Sequence, residues 1–308
     1  MTAPAAQAQA AGRFELLRAV AAVADSPAGA QAVCPALGLT VPSATDHTTV
    51  FVLNSPPHAS VYLGPDGALG GEGADRAAGF WRALGLAPPA EPDHLAALLG
   101  LYAELNEAAA QARTPATATA LARSAHALFD EHLWPWLPMY LDSVADLRSA
   151  LTGWARLVRQ VVTAERDRVP ASRRLPLSLR GAPPPGDDSL GPAGLAALLT
   201  IPARSGFILT RARLAAGAAS AGVGHRIGER RFALCAMLGQ DPAATLTWLA
   251  SEAARCARQH ARRGDPVSQW WARRATATTT LTRQLAESAA IPAPTRPGQP
   301  QAAPPTRR

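Results

Sequence analysis

The 308 residues are enough for one large or two ordinary domains with a true core, and 30 basic against 23 acidic side chains leave a net charge of +7. No run of about 18 apolar residues occurs, which excludes a spanning helix. Three scattered cysteines, Cys34, Cys235 and Cys256, form no Cys-x-x-Cys pair and read as buried thiols in a reducing compartment rather than as a disulfide framework. Lysine is absent, so every basic side chain is Arg, and a GC-rich coding bias accounts for that together with the abundance of Ala, Pro and Gly. The bias does not explain an asymmetry of charge: residues 1–150 hold 7 Arg against 14 Asp and Glu, residues 151–308 hold 23 against 9. Opposite halves imply different partners or attraction to each other.

Residues 1–12 are Ala- and Gln-rich and lack a basic-then-apolar signal pattern, so a disordered lead on a cytoplasmic protein is expected. Phe14, Leu16, Leu17, Val20 and Val23 predict a first amphipathic helix, stopped at Asp25-Ser26-Pro27. Residues 28–46 are broken by Pro35, Gly38 and Pro42, and the run 48–53 is the one segment with strand character. Residues 54–71 contain Pro56-Pro57 and then four glycines, the makings of a structured loop. That loop follows no βαβ strand and lacks a P-loop lysine, so turn geometry explains its glycines better than phosphate binding.

A short helix is predicted over 75–86, with Phe80, Trp81 and Leu84 on one face. In Glu91-Pro92-Asp93-His94, proline forbids a helix running through and Asp93 is placed to cap the next one, so the tetrapeptide is a hinge carrying two carboxylates and an imidazole. Apolar residues at 95, 98, 99, 102 and 105 give the following helix one buried stripe. Further helices are predicted over 115–132 and, after Pro135 and Pro138, as one long element to about 169. Residues 170–190 read as a linker. Helical patterns then recur near 191–200, 207–222, 227–238, 242–263 and 266–288, before a Pro-rich tail over 289–308 that is expected to be disordered.

Catalysis finds little support. None of the seven His falls in a zinc spacing, and Ser55 and Ser60 beside His58 form no nucleophile elbow, so no catalytic residue, metal ligand or cofactor is assigned. Two binding readings remain. Residues 84–150 carry Glu91, Asp93, Glu104, Glu107, Asp130, Glu131, Asp142 and Asp146 against Arg113, Arg123 and Arg148, which suits a peptide with arginines among apolar residues, the aromatic rings of Tyr62, Trp81 and Trp136 supplying a trough. Alternatively, residues 209–238 have the length and central glycines of a helix-turn-helix, with Arg226, Arg230 and Arg231 opening the second helix toward DNA phosphates; a plain αα-hairpin gives the same pattern.

Four segments in order, Pro56-Pro57-His58-Ala59-Ser60-Val61-Tyr62-Leu63-Gly64-Pro65-Asp66-Gly67, Gly79-Phe80-Trp81-Arg82-Ala83-Leu84-Gly85, Glu91-Pro92-Asp93-His94-Leu95 and Phe129-Asp130-Glu131-His132-Leu133-Trp134-Pro135-Trp136, resemble the TorD/DmsD/NarJ family of molybdoenzyme maturation chaperones. The resemblance covers roughly residues 14–165. It implies an all-α protein: a TorD-like helical bundle over 13–169, here followed by the linker and an additional basic helical region over 191–288. It also implies a non-enzymatic cytoplasmic chaperone that binds the twin-arginine signal peptide or apoprotein of a molybdopterin oxidoreductase precursor before export. Carried over by motif, Glu91, Asp93 and His94 would line the peptide site, with Pro57, Ser60, Tyr62 and Trp81 as walls. The basic extension departs from compact relatives, and its arginines are expected to dock on the acidic half or to cover it. If they block the peptide site, truncation near residue 185 should tighten peptide binding.

Overall fold

The computed structural model describes residues 3–170, 174–186 and 191–290, and every regular element among them is helical. Helices α1 (Ala3–Asp25), α2 (Pro27–Val33) and α3 (Ala44–His47) lead into a π-helical turn, Thr48–Asn54, followed by α4 (Ala59–Leu63), α5 (Gly71–Ala83) and α6 (Leu95–Ala110). After α7 (Pro115–Leu128), a second π-helical turn, Phe129–Leu133, precedes α8 (Leu137–Asp146) and α9 (Thr152–Arg166). The second half holds α10 (Leu177–Gly181), α11 (Pro192–Thr200), α12 (Pro202–Ser205), α13 (Arg211–Ala221), α14 (Arg230–Gln240), α15 (Pro242–Ala261) and α16 (Pro266–Ala290).

Several sequence expectations need correction. The Ala-rich lead is helical from Ala3, because Ala and Gln are strong helix formers and Pro4 sits in a first turn where it does no harm. The strand expected over 48–53 is the first π-helical turn. Immediately before it, Ser43 and Asp46 form a reciprocal capping box that starts a helix, and burial of Val50 and Phe51, with Phe51 edge-on to Trp154 at 5.1 Å, overrides β-branched preference. The long helix expected up to 169 is broken between α8 and α9, where Arg148 adopts a left-handed backbone (φ 50°) and the Ser149 hydroxyl accepts the Leu151 N–H. Part of the stretch read as a linker is helix α10, whose Leu179 is buried in the first core. The expected tail from 291 onward lies outside the described residues.

Two apolar cores are present. The first gathers α1, α6, α8 and α9 around Trp136, Trp154, Tyr62, Tyr102 and Phe129; the second gathers α11, α13, α14 and α15. Helix α16 serves both: Val267, Trp270 and Trp271 near its start enter the first core, while Leu281 and Ala286 farther along enter the second. Gly206 makes the fit of α12 on α16 possible, since a Cβ there would lie 2.2 Å from the Ala275 nitrogen and φ is +81°.

Polar contacts follow the same seam. Asp142 pairs with Arg159 and Arg263, and Asp146 with Arg213 and, at 3.3 Å, Arg255. The Trp271 indole N–H donates to the Pro135 carbonyl at 2.8 Å, the Trp134 indole to Asp265 at 3.1 Å, and the Ala212 N–H to Asn54 Oδ1 at 2.9 Å. The opposite charges of the two halves therefore meet each other.

Candidate functional site

The hinge is built from two Pro-rich segments lying side by side. Pro56-Pro57 and Pro92 hold their neighbours extended, and the two strips pair in antiparallel fashion across His58 and His94: the Ala59 N–H donates to the Asp93 carbonyl at 3.0 Å and the Leu95 N–H to the Pro57 carbonyl at 2.8 Å. Each strip then turns into a helix, α4 after His58 and α6 after His94.

Asp93 is 2% exposed, and its carboxylate accepts the Ser60 N–H at 2.8 Å. Since His58 provides no side-chain cap for α4, Asp93 supplies one from across the hinge. The Ser60 hydroxyl accepts the Gly70 N–H at 3.2 Å, which fastens the glycine loop to the same point. His94 caps its own helix, Nδ1 accepting the Ala96 N–H at 3.1 Å. Tyr62 is fully buried, stacked on Trp136 with centroids 5.2 Å apart, and its hydroxyl donates to the Pro56 carbonyl. The Trp81 indole N–H donates to the Pro92 carbonyl at 3.3 Å and is half-buried.

Of the seven residues assigned to a peptide site, five are therefore interior. Asp93, His94, Ser60, Tyr62 and Pro57 are buried where the two strips meet, and Asp93, His94, Ser60 and Tyr62 bond to backbone groups that the extended Pro-flanked pair leaves open. Glu91, with its side chain 68% exposed, and the outer part of Trp81 face solvent. Glu91 Oε2 lies 3.5 Å from His58 Nε2, and the His58 and His94 rings meet edge-on at 4.7 Å. The sequence offered His58 only as a neighbour of Ser55 and Ser60; the repeated Pro-x-His step before a helix, Pro56-Pro57-His58 and Pro92-Asp93-His94, was the signal that could have placed it in the hinge.

His58, Glu91 and His94 bring one ligand atom each within 4.8 Å of one another. The helix cap, however, occupies the Nδ1 lone pair of His94, so a neutral His94 carries its proton on Nε2 and offers a donor there. Burial, then the neighbouring His58, holds the His94 pKa below its ordinary value, although Glu91 and Asp93 pull the other way.

Gly73 fixes the loop against the hinge, since a Cβ at this position would lie 2.7 Å from Ser60 Cα. Gly73→Ala is expected to lower stability by about 1–3 kcal/mol, the usual cost of overpacking, as read from chemical denaturation midpoints. The positive φ angles of Gly67, Gly70 and Gly71 (65°, 82° and 57°) are the turn geometry expected of this loop.

The acidic surface is largely spent inside the molecule. Asp130 pairs with Arg166, Glu107 with Arg18, and Asp142 and Asp146 with the arginines named above, while Glu131 accepts the Leu177 N–H at 2.7 Å. The aromatic trough is absent too: Trp136 and Tyr62 are core residues. A DNA-reading segment over 209–238 gains no support, because residues 222–229 separate α13 from α14, about twice the usual turn, and Arg213 and Arg230 bond within the protein.

Residues 42–142, which contain the whole hinge, match the family model of the nitrate reductase delta subunit. Over this segment the chain is similar to the NarJ/TorD-like chaperone family. Members of that family are maturation chaperones of molybdoenzymes rather than catalysts. The matched segment is about a third of the 308 residues, and α9 to α16 lie beyond it. No curated protein matches the chain significantly. Within the described residues no helix is long and apolar enough to cross a membrane.

Proposed function

We propose that this protein is a cytoplasmic maturation chaperone that binds the precursor of a molybdopterin-dependent oxidoreductase, through its twin-arginine signal peptide or the adjoining apoprotein, while cofactor is inserted. The observation that carries the reading is the family match across the hinge, together with the one carboxylate the hinge leaves in solvent, Glu91. A carboxylate and a guanidinium make paired charge-assisted hydrogen bonds, and the exposed part of Trp81 beside it offers an apolar or cation–π surface to the next residue of a leader. Glu91 and Trp81 thus take the contact role, while Asp93, His94, Ser60, Tyr62 and Pro57 hold the hinge that presents them. The protein acts by reversible binding.

Titration of a labelled twin-arginine peptide into the full chain tests this. Glu91→Ala is expected to weaken binding by about 1–3 kcal/mol, the loss of a charged hydrogen-bond partner, with no change in the thermal midpoint. Equal affinity in the variant and the parent would remove Glu91 from the site.

A further inference from the structure

A cleft of about 420 Å³ lies where the family segment meets the second half. Val52, Leu53 and Leu69 stand exposed on one wall, and Arg211, Arg230 and Arg231 line the other. Among the described residues none of the three arginines has an ion-pair partner, unlike Arg213 and Arg255 of the same half, which are held by Asp146 and Glu252. Arg230 is half-buried and bonds only to carbonyls, that of Leu209 at 3.3 Å and that of Gly67 at 3.5 Å. A guanidinium withdrawn from water without a counter-ion is costly, and Arg211 adds like-charge repulsion to that burial, which Tyr62 and then Glu229 offset only in part.

A second feature points the same way. Helix α14, eleven residues long, opens at Arg230 on this cleft, and its N-cap, Glu229, makes no side-chain cap hydrogen bond. Its first N–H groups and the positive end of its dipole are left facing a site already lined by unpaired cations. Glu229 and Asp66 also line the cleft, yet neither comes within ion-pair distance of the arginines. Volume, apolar wall and cationic floor together match a small ligand with one charged end.

We propose that this cleft binds a small anionic ligand, its phosphate or carboxylate group held by Arg211, Arg230 and Arg231 and its apolar body lying on Val52, Leu53 and Leu69. The site is separate from the hinge carboxylate Glu91 and draws its arginines from outside the family segment. A twin-arginine leader is repelled by it, so failure of peptide binding at the hinge and failure of this site are independent results.

The test uses the full chain and two probes, inorganic phosphate and hexanoate, in titration calorimetry and thermal-shift measurements. Saturable binding with a rise in the thermal midpoint is expected for at least one probe, and the probe that binds identifies the oxyanion. Arg230→Met and Arg211→Glu are each expected to weaken that binding at least tenfold, while Arg226→Glu, on a surface outside this cleft, leaves it unchanged. In anion-free buffer Arg230→Met is expected to raise the midpoint, because it removes an unpaired cation from a partly buried position. Binding of neither probe, binding insensitive to Arg230 and Arg211, or a lower anion-free midpoint in Arg230→Met would overturn the proposal.

Discussion

Truncation of the chain at residue 186 is expected to abolish cooperative folding rather than to release a tighter peptide binder. The first core is not closed by the first half alone: Ile208, Val267, Trp270 and Trp271 complete it, and Trp271 is fully buried. Removing them exposes the aromatic cluster around Trp136 and leaves the Pro135 carbonyl without its indole donor. It also strips Asp142 and Asp146 of Arg263, Arg213 and Arg255. The milder Trp271→Ala is expected to cost about 3–5 kcal/mol, the range for deleting a buried aromatic. Circular dichroism melts distinguish the cases: the truncated chain should lose its cooperative transition, and Trp271→Ala should keep it at a lower midpoint. A folded truncated chain that binds a twin-arginine peptide more tightly would restore the idea that the second half is a removable cover.

Asp93→Ala is expected to lower stability by about 1–3 kcal/mol and to loosen the segment from Ser60 to Gly70, whereas Glu91→Ala leaves both as they are. Both residues are acids two positions apart, yet they differ in what they meet. Asp93 is buried and accepts the Ser60 N–H, which has no other cap, and Ser60 in turn accepts from Gly70. Glu91 stands in solvent, 3.5 Å from His58 Nε2. Hydrogen exchange at Ser60 and Gly70 reads the difference: faster exchange in Asp93→Ala and parent-like exchange in Glu91→Ala are expected. Any loss of peptide binding in Asp93→Ala then comes through the hinge, and Asp93→Asn, which keeps an oxygen acceptor, should recover part of it. Parent-like stability and exchange in Asp93→Ala would show that the carboxylate is not a cap.

The helical class was legible because stripes such as Leu95, Leu98, Leu99, Tyr102 and Leu105 state a 3.6-residue period and Pro, Ser, Thr and Asp punctuate it. The hinge, too, could be read from Pro92 and Asp93. Less legible was which end of the tetrapeptide faces water, because that depends on His58 and Ser60, more than thirty residues away. Local propensity misled at 48–53, where a capping box upstream and core contacts downstream outweighed Val and Thr. Charge counting found the attraction between the halves but not its consequence: the acids it assigned to a partner, Asp142 and Asp146 above all, are neutralised by the chain's own arginines.

Co-expression of the full chain with a molybdopterin oxidoreductase precursor that carries a twin-arginine leader bears most directly on whether this is a leader-reading chaperone. The stable complex should be recovered with the native leader and depleted about tenfold or more when both leader arginines are replaced by glutamine, a change of about 1.4 kcal/mol or greater. Equal recovery of the native and twin-glutamine precursors, or of neither, would contradict that account.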